Sequence, residues 1–194
     1  MFVSRVFVVL IVFFSAGCAH PIKITPNIND IDRKDVSKID KSVGYYISEA
    51  DRGLSVITPG GAGDKVEYTP YKDLEPALQK VLSNMFQRVH KITSLQDSAF
   101  IKANDISYIF FPKIETNSSS TALLTWMATD FTVKLDCKAI DESGQEIWKR
   151  SYQGEGHAEY DELAKDFQLS AKRATKKVFL ELQKDINSEN AFRN

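Results

Sequence analysis

Apolar and polar positions alternate with a period of two along residues 129–140, which is the pattern of a β-strand with one packed and one wet face. The polar sequence at residues 141–144 predicts a hairpin turn, after which residues 146–152 return as a second strand. An apolar run over residues 106–116 predicts a third strand, in which Pro112 indicates an edge position or a bulge. We expect these strands to form an antiparallel meander. The alternating apolar residues of the first strand are Phe131, Val133, Leu135, Cys137 and Ala139.

Three other stretches repeat their apolar residues at the spacing of an α-helix. They predict a helix from Asp73, a residue suited to capping, to Val89, a short helix over residues 94–103 and a long helix over residues 160–186. The order of elements predicts an α+β domain. Its antiparallel sheet, which contains the three-strand meander, is expected to be covered on one face by two longer helices and one short helix. Short extended segments at residues 43–47, 54–57 and 65–68 precede the first helix.

The N-terminus has the order of charge, apolar run and small residues that is typical of a secretory signal peptide. Arg5 precedes an apolar run over residues 6–14, which is too short for a membrane-spanning helix because such a helix needs about 20 apolar residues. We therefore assign residues 1–17 to a lipoprotein signal peptide. The other predicted parts are a flexible tether over residues 18–40, a single α+β domain over residues 41–187 and a polar tail over residues 188–194.

The sequence SAGC at residues 15–18 resembles a bacterial lipobox, although Ser15 stands where Leu, Val or Ile is usual. The resemblance implies that Cys18 becomes the first residue and carries acyl chains such as palmitate, which would hold the chain at a membrane. Ala19, in place of Asp, implies the periplasmic side of the outer membrane. The alternative is a plain secretory signal cut elsewhere, with Cys18 free or paired with Cys137. The strand pattern instead makes Cys137 a core thiol.

Composition and motif spacing exclude several classes of function. The 194 residues carry 25 Lys plus Arg and 26 Asp plus Glu, so no clustered basic excess indicates nucleic-acid binding. The His and Cys residues lack the spacing of a metal site, and no GxSxG nucleophile motif occurs. We therefore expect no enzymatic activity, no cofactor and no metal. The best of the weak acid/base candidates is His157, which lies near Glu155, Glu159 and Asp161.

A group of apolar residues interrupts the polar connection between the strands predicted at 106–116 and 129–140. Exposed apolar residues with polar neighbours often mark a contact surface. The group could fold back as a lid or extend the flanking strands, contact a protein, or contact a membrane or lipid. These candidate interaction residues are Leu123, Leu124, Trp126 and Met127.

Four basic residues lie beside the apolar stripe of the last predicted helix. They could form a solvated face or meet anionic lipid headgroups or phosphates. The residues of this candidate basic patch are Lys172, Arg173, Lys176 and Lys177.

Four features occur in order along the chain: Gly-Cys-Ala at residues 17–19, a proline-bearing tether, the run around Asp73, and Gly-Glu-Gly at residues 154–156 before a long helix. Together they resemble the YajG-type bacterial lipoproteins and, more distantly, the small α+β lipoproteins of envelope assembly. The resemblance implies a noncatalytic accessory protein, and some of the distant relatives form rings.

These observations lead to one functional hypothesis and one alternative. The hypothesis is a lipid-anchored, noncatalytic cell-envelope lipoprotein that acts as a periplasmic binding or assembly module. The protein would bind the membrane through acyl chains on Cys18, and its surface would bind an envelope protein. A homo-oligomer is compatible with this hypothesis. The alternative is a carrier of a lipid or hydrophobic ligand in an envelope transport system. A carrier would need an apolar cavity between the helix at residues 74–89 and the sheet.

Overall fold

The computed structural model describes residues 19–31, 37–123 and 125–193. The predicted signal peptide, Cys18 and Leu124 therefore lie outside the described residues. Within them no helix has the length and apolar character to cross a membrane. The strands are β1 (Ala19–Pro21), β2 (Ile39–Tyr46), β3 (Val56–Pro59), β4 (Lys65–Tyr68), β5 (Phe86–Ile92), β6 (Ile106–Ser119), β7 (Asp130–Asp141) and β8 (Glu146–His157). The α-helices are α1 (Glu49–Arg52), α2 (Pro70–Met85), α3 (Ser98–Ala103), α4 (Tyr160–Leu163) and α5 (Leu169–Ser188).

The larger sheet has five strands in the order β5-β2-β6-β7-β8. The antiparallel meander of β6, β7 and β8 is confirmed. The sheet as a whole is mixed and not antiparallel as predicted, because β2 pairs in parallel with both β5 and β6. The physical reason is that a helix stands in the connections before β5 and β6. Such a connection returns the chain to the end of the sheet where it started.

Pro112 lies in β6, which is an internal strand of the sheet. β2 pairs with β6 only as far as Phe110, so beyond that residue one side of β6 is paired with no strand among the described residues. The N–H of Ile114 on this side donates instead to the Tyr71 hydroxyl, with an N···O distance of 3.2 Å. Pro112 is tolerated because the strand behaves locally as an edge.

The predicted helix from Asp73 to Val89 has different bounds in the structure. It begins at Pro70 and ends at Met85, and the residues from Phe86 onwards form β5. The apolar spacing continues past Met85, but Val89 pairs with Val43 of β2, and this long-range pairing decides the strand. The other predicted helices also shorten or break: the helix at 94–103 contains only α3, and the helix at 160–186 divides into α4 and α5.

Helices α2 and α5 cover one face of the larger sheet. All five apolar residues predicted for the packed face of β7 are buried there, with exposed fractions of at most 1%. Cys137 is a free core thiol as expected, and burial raises its pKa to about 12. The short helix does not join this face as predicted: Ile101 of α3 packs with Ile92, Ile106 and Ile109 in a separate cluster on the opposite side.

Helix α5 lies unusually close to β8. A Cβ atom at Gly154 would stand 2.2 Å from the Ala174 carbonyl oxygen, and one at Gly156 would stand 2.1 Å from the Ser170 carbonyl oxygen. The small residues Ala171 and Ala174, which are fully or almost fully buried, form the helix side of this contact. The last helix thus approaches the sheet closely, and glycine on β8 makes this approach sterically possible.

The structure corrects the predicted tether at residues 18–40, because the part of it that is described packs on the domain. β1 pairs in parallel with β4, which in turn pairs with β3, forming a second, three-stranded sheet. The N–H of Ile24 donates to the carboxylate of Asp73, which lies inside α2 and not at its cap as predicted. Ile28 of the segment is 40% exposed, whereas the four other isoleucines are buried. These residues are Ile22, Ile24, Ile31 and Ile39.

The polar tail predicted at residues 188–194 is also corrected. A 3-10 turn at Asn190–Phe192 brings the Phe192 side chain into the core, where it is fully buried. The ring lies 5.4 to 5.7 Å from the rings of four aromatic residues of the sheet. A single aromatic residue therefore fixes the end of the chain. Its ring neighbours are Phe86, Tyr108, Phe110 and Trp148.

Candidate functional site

Three parts of the chain that are distant in sequence meet at one end of the domain: the start of β1, the glycine-rich loop at residues 60–64 and the loop at residues 120–129. The ring of His20 stacks on that of Trp126, with centroids 4.3 Å apart and planes inclined by 19°. His20 Nε2 also lies 3.3 Å from a carboxylate oxygen of Asp64. We call this region the anchor end, because β1 begins there directly after Cys18, the residue for which the sequence predicts a lipid anchor.

The glycine-rich loop holds the loop at 120–129 in place through its backbone. The N–H of Gly61 donates to the carbonyl of Trp126 at 2.9 Å, and the N–H of Ala62 donates to that of Ala122 at 3.0 Å. A Cβ atom at Gly61 would stand 2.1 Å from the Thr125 carbonyl oxygen. Residue 61 must therefore be glycine, because the two loops approach too closely here for a side chain. Nothing in the sequence identifies the loop at residues 120–129 as the partner of the glycine-rich loop.

The candidate interaction residues divide between lid and surface. Met127 is 9% exposed and packs with Ala158 and Leu163, and Trp126 is partly buried between His20 and Phe167. These two residues fold back as a lid, which was one of the predicted alternatives. Leu123 remains 85% exposed, so it keeps the character of a contact residue.

The candidate basic patch is largely paired with carboxylates. The Lys172 ammonium lies 2.8 Å from Asp166, and the Lys176 ammonium lies 2.9 Å from Asp30. Arg173 donates to both carboxylate oxygens of Glu162. The guanidinium lowers the pKa of Glu162 to about 2. Lys177 is exposed and makes no ion pair within the described part of the chain. These pairs join α5 to the segments beside it, so most of the positive charge is already neutralised.

His157 is exposed at the end of β8 and stands between two carboxylates. Its Nδ1 lies 2.7 Å from Asp130, and its Nε2 lies 3.1 Å from Glu159. Of the other carboxylates expected near it, Glu155 accepts a hydrogen bond from Gln153 instead. No group of His, Cys, Asp and Glu among the described residues has the arrangement of a metal site.

We expect the pKa of His157 to lie above its ordinary value of 6.5, because hydrogen bonds to Asp130 and then Glu159 favour the imidazolium. Protonated His157, paired with these carboxylates, stabilises the fold below about pH 6.5, the pKa of an unfolded histidine. This stabilisation is lost as the pH rises through the raised pKa of His157 in the folded protein. An NMR titration of the imidazole measures the value, and Asp130→Asn should lower it. Glu155→Gln is the matched control, since that carboxylate does not contact the ring. An unshifted pKa in the unaltered protein would contradict the assignment.

The cavity required for a carrier is not found between α2 and the sheet, where the described side chains pack against one another in one apolar core. A groove of about 740 Å³ opens instead on the surface, between the N-terminal segment, β4 and α2. Its wall includes charged residues such as Lys72 and Asp73. No observation therefore favours the carrier. The packed residues between α2 and the sheet include Leu74, Leu78, Leu82, Phe110 and Phe131.

No protein-family model matches the sequence, and no curated protein matches it. Among solved structures, the chain is similar to a PelC dodecamer from Paraburkholderia phytofirmans, at 12% identity and a TM-score of 0.44 over 78% of this chain and 94% of that chain. It is also similar to a DUF330 protein from Xanthomonas campestris, at 9% identity and a TM-score of 0.44 over 87% and 89% of the two chains. A candidate lipoprotein from Caulobacter crescentus aligns at 13% identity and a TM-score of 0.38 over 59% and 78%. At such low identities these similarities assign no family to the chain.

Proposed function

We propose that this protein is a lipid-anchored, noncatalytic lipoprotein of the bacterial cell envelope. It acts as a binding or assembly module on the periplasmic side of the outer membrane. The observation that carries the proposal is the position of Ala19, the residue that follows Cys18. β1 starts at Ala19, and Ala19 pairs with Lys65 at the surface end of β4. An acyl group on Cys18 would therefore extend away from the domain and would not disturb its core.

The alternative fate of Cys18 in a disulfide receives no support. Cys137 is fully buried in the middle of β7, whereas β1 belongs to the other sheet. A disulfide needs its two Cα atoms within about 7 Å of each other. For Cys18 to come this close to Cys137, residues of the core would have to move apart. The burial of Cys137 thus supports acylation of Cys18 over a disulfide between the two cysteines.

The binding part of the proposal is supported by the outer strand of the larger sheet. β8 extends over 12 residues and stands at the edge, with β7 on one side only. The outer side of β8 pairs with no strand among the described residues, so its backbone groups are candidates for pairing with a strand of another chain. Such an edge suits either an envelope protein or a second copy as partner.

Cys18→Ala should abolish labelling by palmitate and release the protein from the membrane fraction. Two or three acyl chains, at about 0.8 kcal/mol per buried methylene, otherwise hold it there. The measurement is metabolic labelling with sedimentation of membranes, and circular dichroism should show that the domain remains folded. Cys137→Ala is the matched control and should retain the label. Continued labelling of the Cys18→Ala protein would refute the lipid anchor.

A further inference from the structure

We infer that the anchor end is a lipid-contacting surface, on which Leu123 and Phe167 touch the same membrane that holds the acyl chains of Cys18. This inference rests on the proposed lipid anchor and adds to it a fixed orientation of the domain. The occupant of the surface is the membrane itself, and no partner protein is needed.

The first step concerns the distance between the lipid and the domain. Consecutive Cα atoms are about 3.8 Å apart, so an acylated Cys18 lies within about 4 Å of Ala19. Ala19 already belongs to β1, and its neighbour His20 is fixed by the Trp126 ring and the Asp64 carboxylate. The anchor is therefore joined to the fold without a spacer, and the anchor end must stand at the membrane surface.

The second step concerns the apolar side chains at this end. Leu123 is 85% exposed, and Phe167 is 43% exposed in the break between α4 and α5. The ring centroids of Trp126 and Phe167 are 5.6 Å apart. Leu123 lies in the same loop as Trp126, since the adjacent N–H groups of Gly61 and Ala62 donate to the carbonyls of Trp126 and of Ala122, the residue before Leu123. A leucine exposed alone needs no explanation, but two apolar side chains flanking a partly exposed tryptophan beside a lipid anchor form a coherent surface.

The third step concerns charge and polarity. Tryptophan is enriched at the level of lipid headgroups, where its ring is apolar and its N–H meets water. Lys65 is exposed beside Ala19, and Lys165 is exposed two residues before Phe167, so both ammonium groups can meet anionic headgroups. Of the carboxylates nearby, Asp166 pairs with Lys172, and a carboxylate oxygen of Asp64 lies 3.3 Å from His20 Nε2.

The fourth step concerns order. The backbone bonds from Gly61 and Ala62 hold the loop that carries Leu123, and Met127 fixes its other end in the core. A surface that is already ordered loses little conformational entropy on meeting the membrane. The acyl chains of Cys18 would bring the loop to the membrane, and Leu123 would then contact the membrane directly.

A nitroxide attached to Leu123→Cys tests the inference on the full, lipidated protein in vesicles of phosphatidylethanolamine and phosphatidylglycerol. The label is specific, because the Cys18 sulfur is consumed by acylation and Cys137 is fully buried with a raised pKa. Electron paramagnetic resonance then compares collisions with oxygen, which concentrates in the bilayer, and with a nickel chelate, which remains in water. We expect the label at 123 to be several-fold more accessible to oxygen than to the chelate.

Glu142→Cys supplies the matched control at the opposite end of the domain. Glu142 is exposed in the turn after β7, and the 12 residues of β7 separate it from the anchor end by about 40 Å. Its label should favour the chelate. If the label at 123 behaves like the one at 142, or is shielded from both reagents by a second copy, the lipid-contacting surface is refuted. Mass spectrometry of the same sample separates the two proposals, because an unacylated Cys18 refutes the anchor as well.

Discussion

Gly154→Val should prevent α5 from packing on the sheet and lower the free energy of unfolding by about 3 kcal/mol or more. The added Cβ would stand 2.2 Å from the Ala174 carbonyl oxygen and 2.7 Å from a methyl carbon of Val178. The first of these atoms belongs to the helix backbone, so no change of side-chain rotamer relieves the overlap. The whole helix must move away from β8 and expose part of the core.

Thermal denaturation followed by circular dichroism measures this effect. For a domain of this size, a loss of about 3 kcal/mol lowers the melting temperature by about 6–12 °C. Gln153→Val is the matched control, because residue 153 precedes Gly154 on the same strand but is exposed on the other face. It should leave the melting temperature nearly unchanged. Equal stability of the two variants would show that α5 does not approach β8 as closely as described.

Phe192→Ala should lower the free energy of unfolding by about 3–5 kcal/mol, which is the usual effect of removing a large buried aromatic side chain. The ring is fully buried and lies within 5.7 Å of the ring of Phe86 and 5.6 Å of that of Trp148, measured between centroids. Its removal leaves a cavity between the end of the chain and the sheet. Neither β5 nor β8 has a side chain free to fill that cavity, since both rings are themselves packed in the core.

Urea denaturation measures the loss, and Arg193→Ala is the control at the next position. Arg193 is exposed and donates to the backbone and side-chain oxygens of Asn187, so its replacement should change stability by less than about 0.5 kcal/mol. A Phe192→Ala protein as stable as the unaltered chain would mean that residues 190–193 are the loose polar tail that their composition indicates.

The corrected elements share one physical property, which is that their structure depends on residues far away in the chain. Phe86 and Val89 continue the apolar spacing of α2, and only the pairing with β2 makes them a strand. Ile24 and Phe192 are single apolar residues in polar surroundings, so they have no periodicity from which burial could be inferred. The burial of an isolated apolar residue can be inferred only when the residues that surround it in the folded protein are known.

The candidate site divides in the same way. The unusual apolar residues at 123–127 were visible in the sequence, and Leu123 keeps the exposed position expected of a contact residue. The partners that make Trp126 part of a lid were not visible, because His20 and Phe167 lie more than 100 and about 40 positions away from it in the chain. The carboxylates that neutralise the basic patch were likewise hidden, since Lys176 pairs with Asp30.

The sequence by itself determined the α+β class, the antiparallel meander, the packed face of β7 and the place of the candidate lipid anchor. Each of these depends on the spacing of residues within one element or on adjacent residues, and such local patterns are written directly in the chain. Tertiary structure alone decided the parallel pairing of β2, the burial of Ile24 and Phe192 and the meeting of β1 with Trp126. These features depend on which distant segment of the chain packs on a given apolar surface. The periodicity of one segment does not show which other segment it contacts.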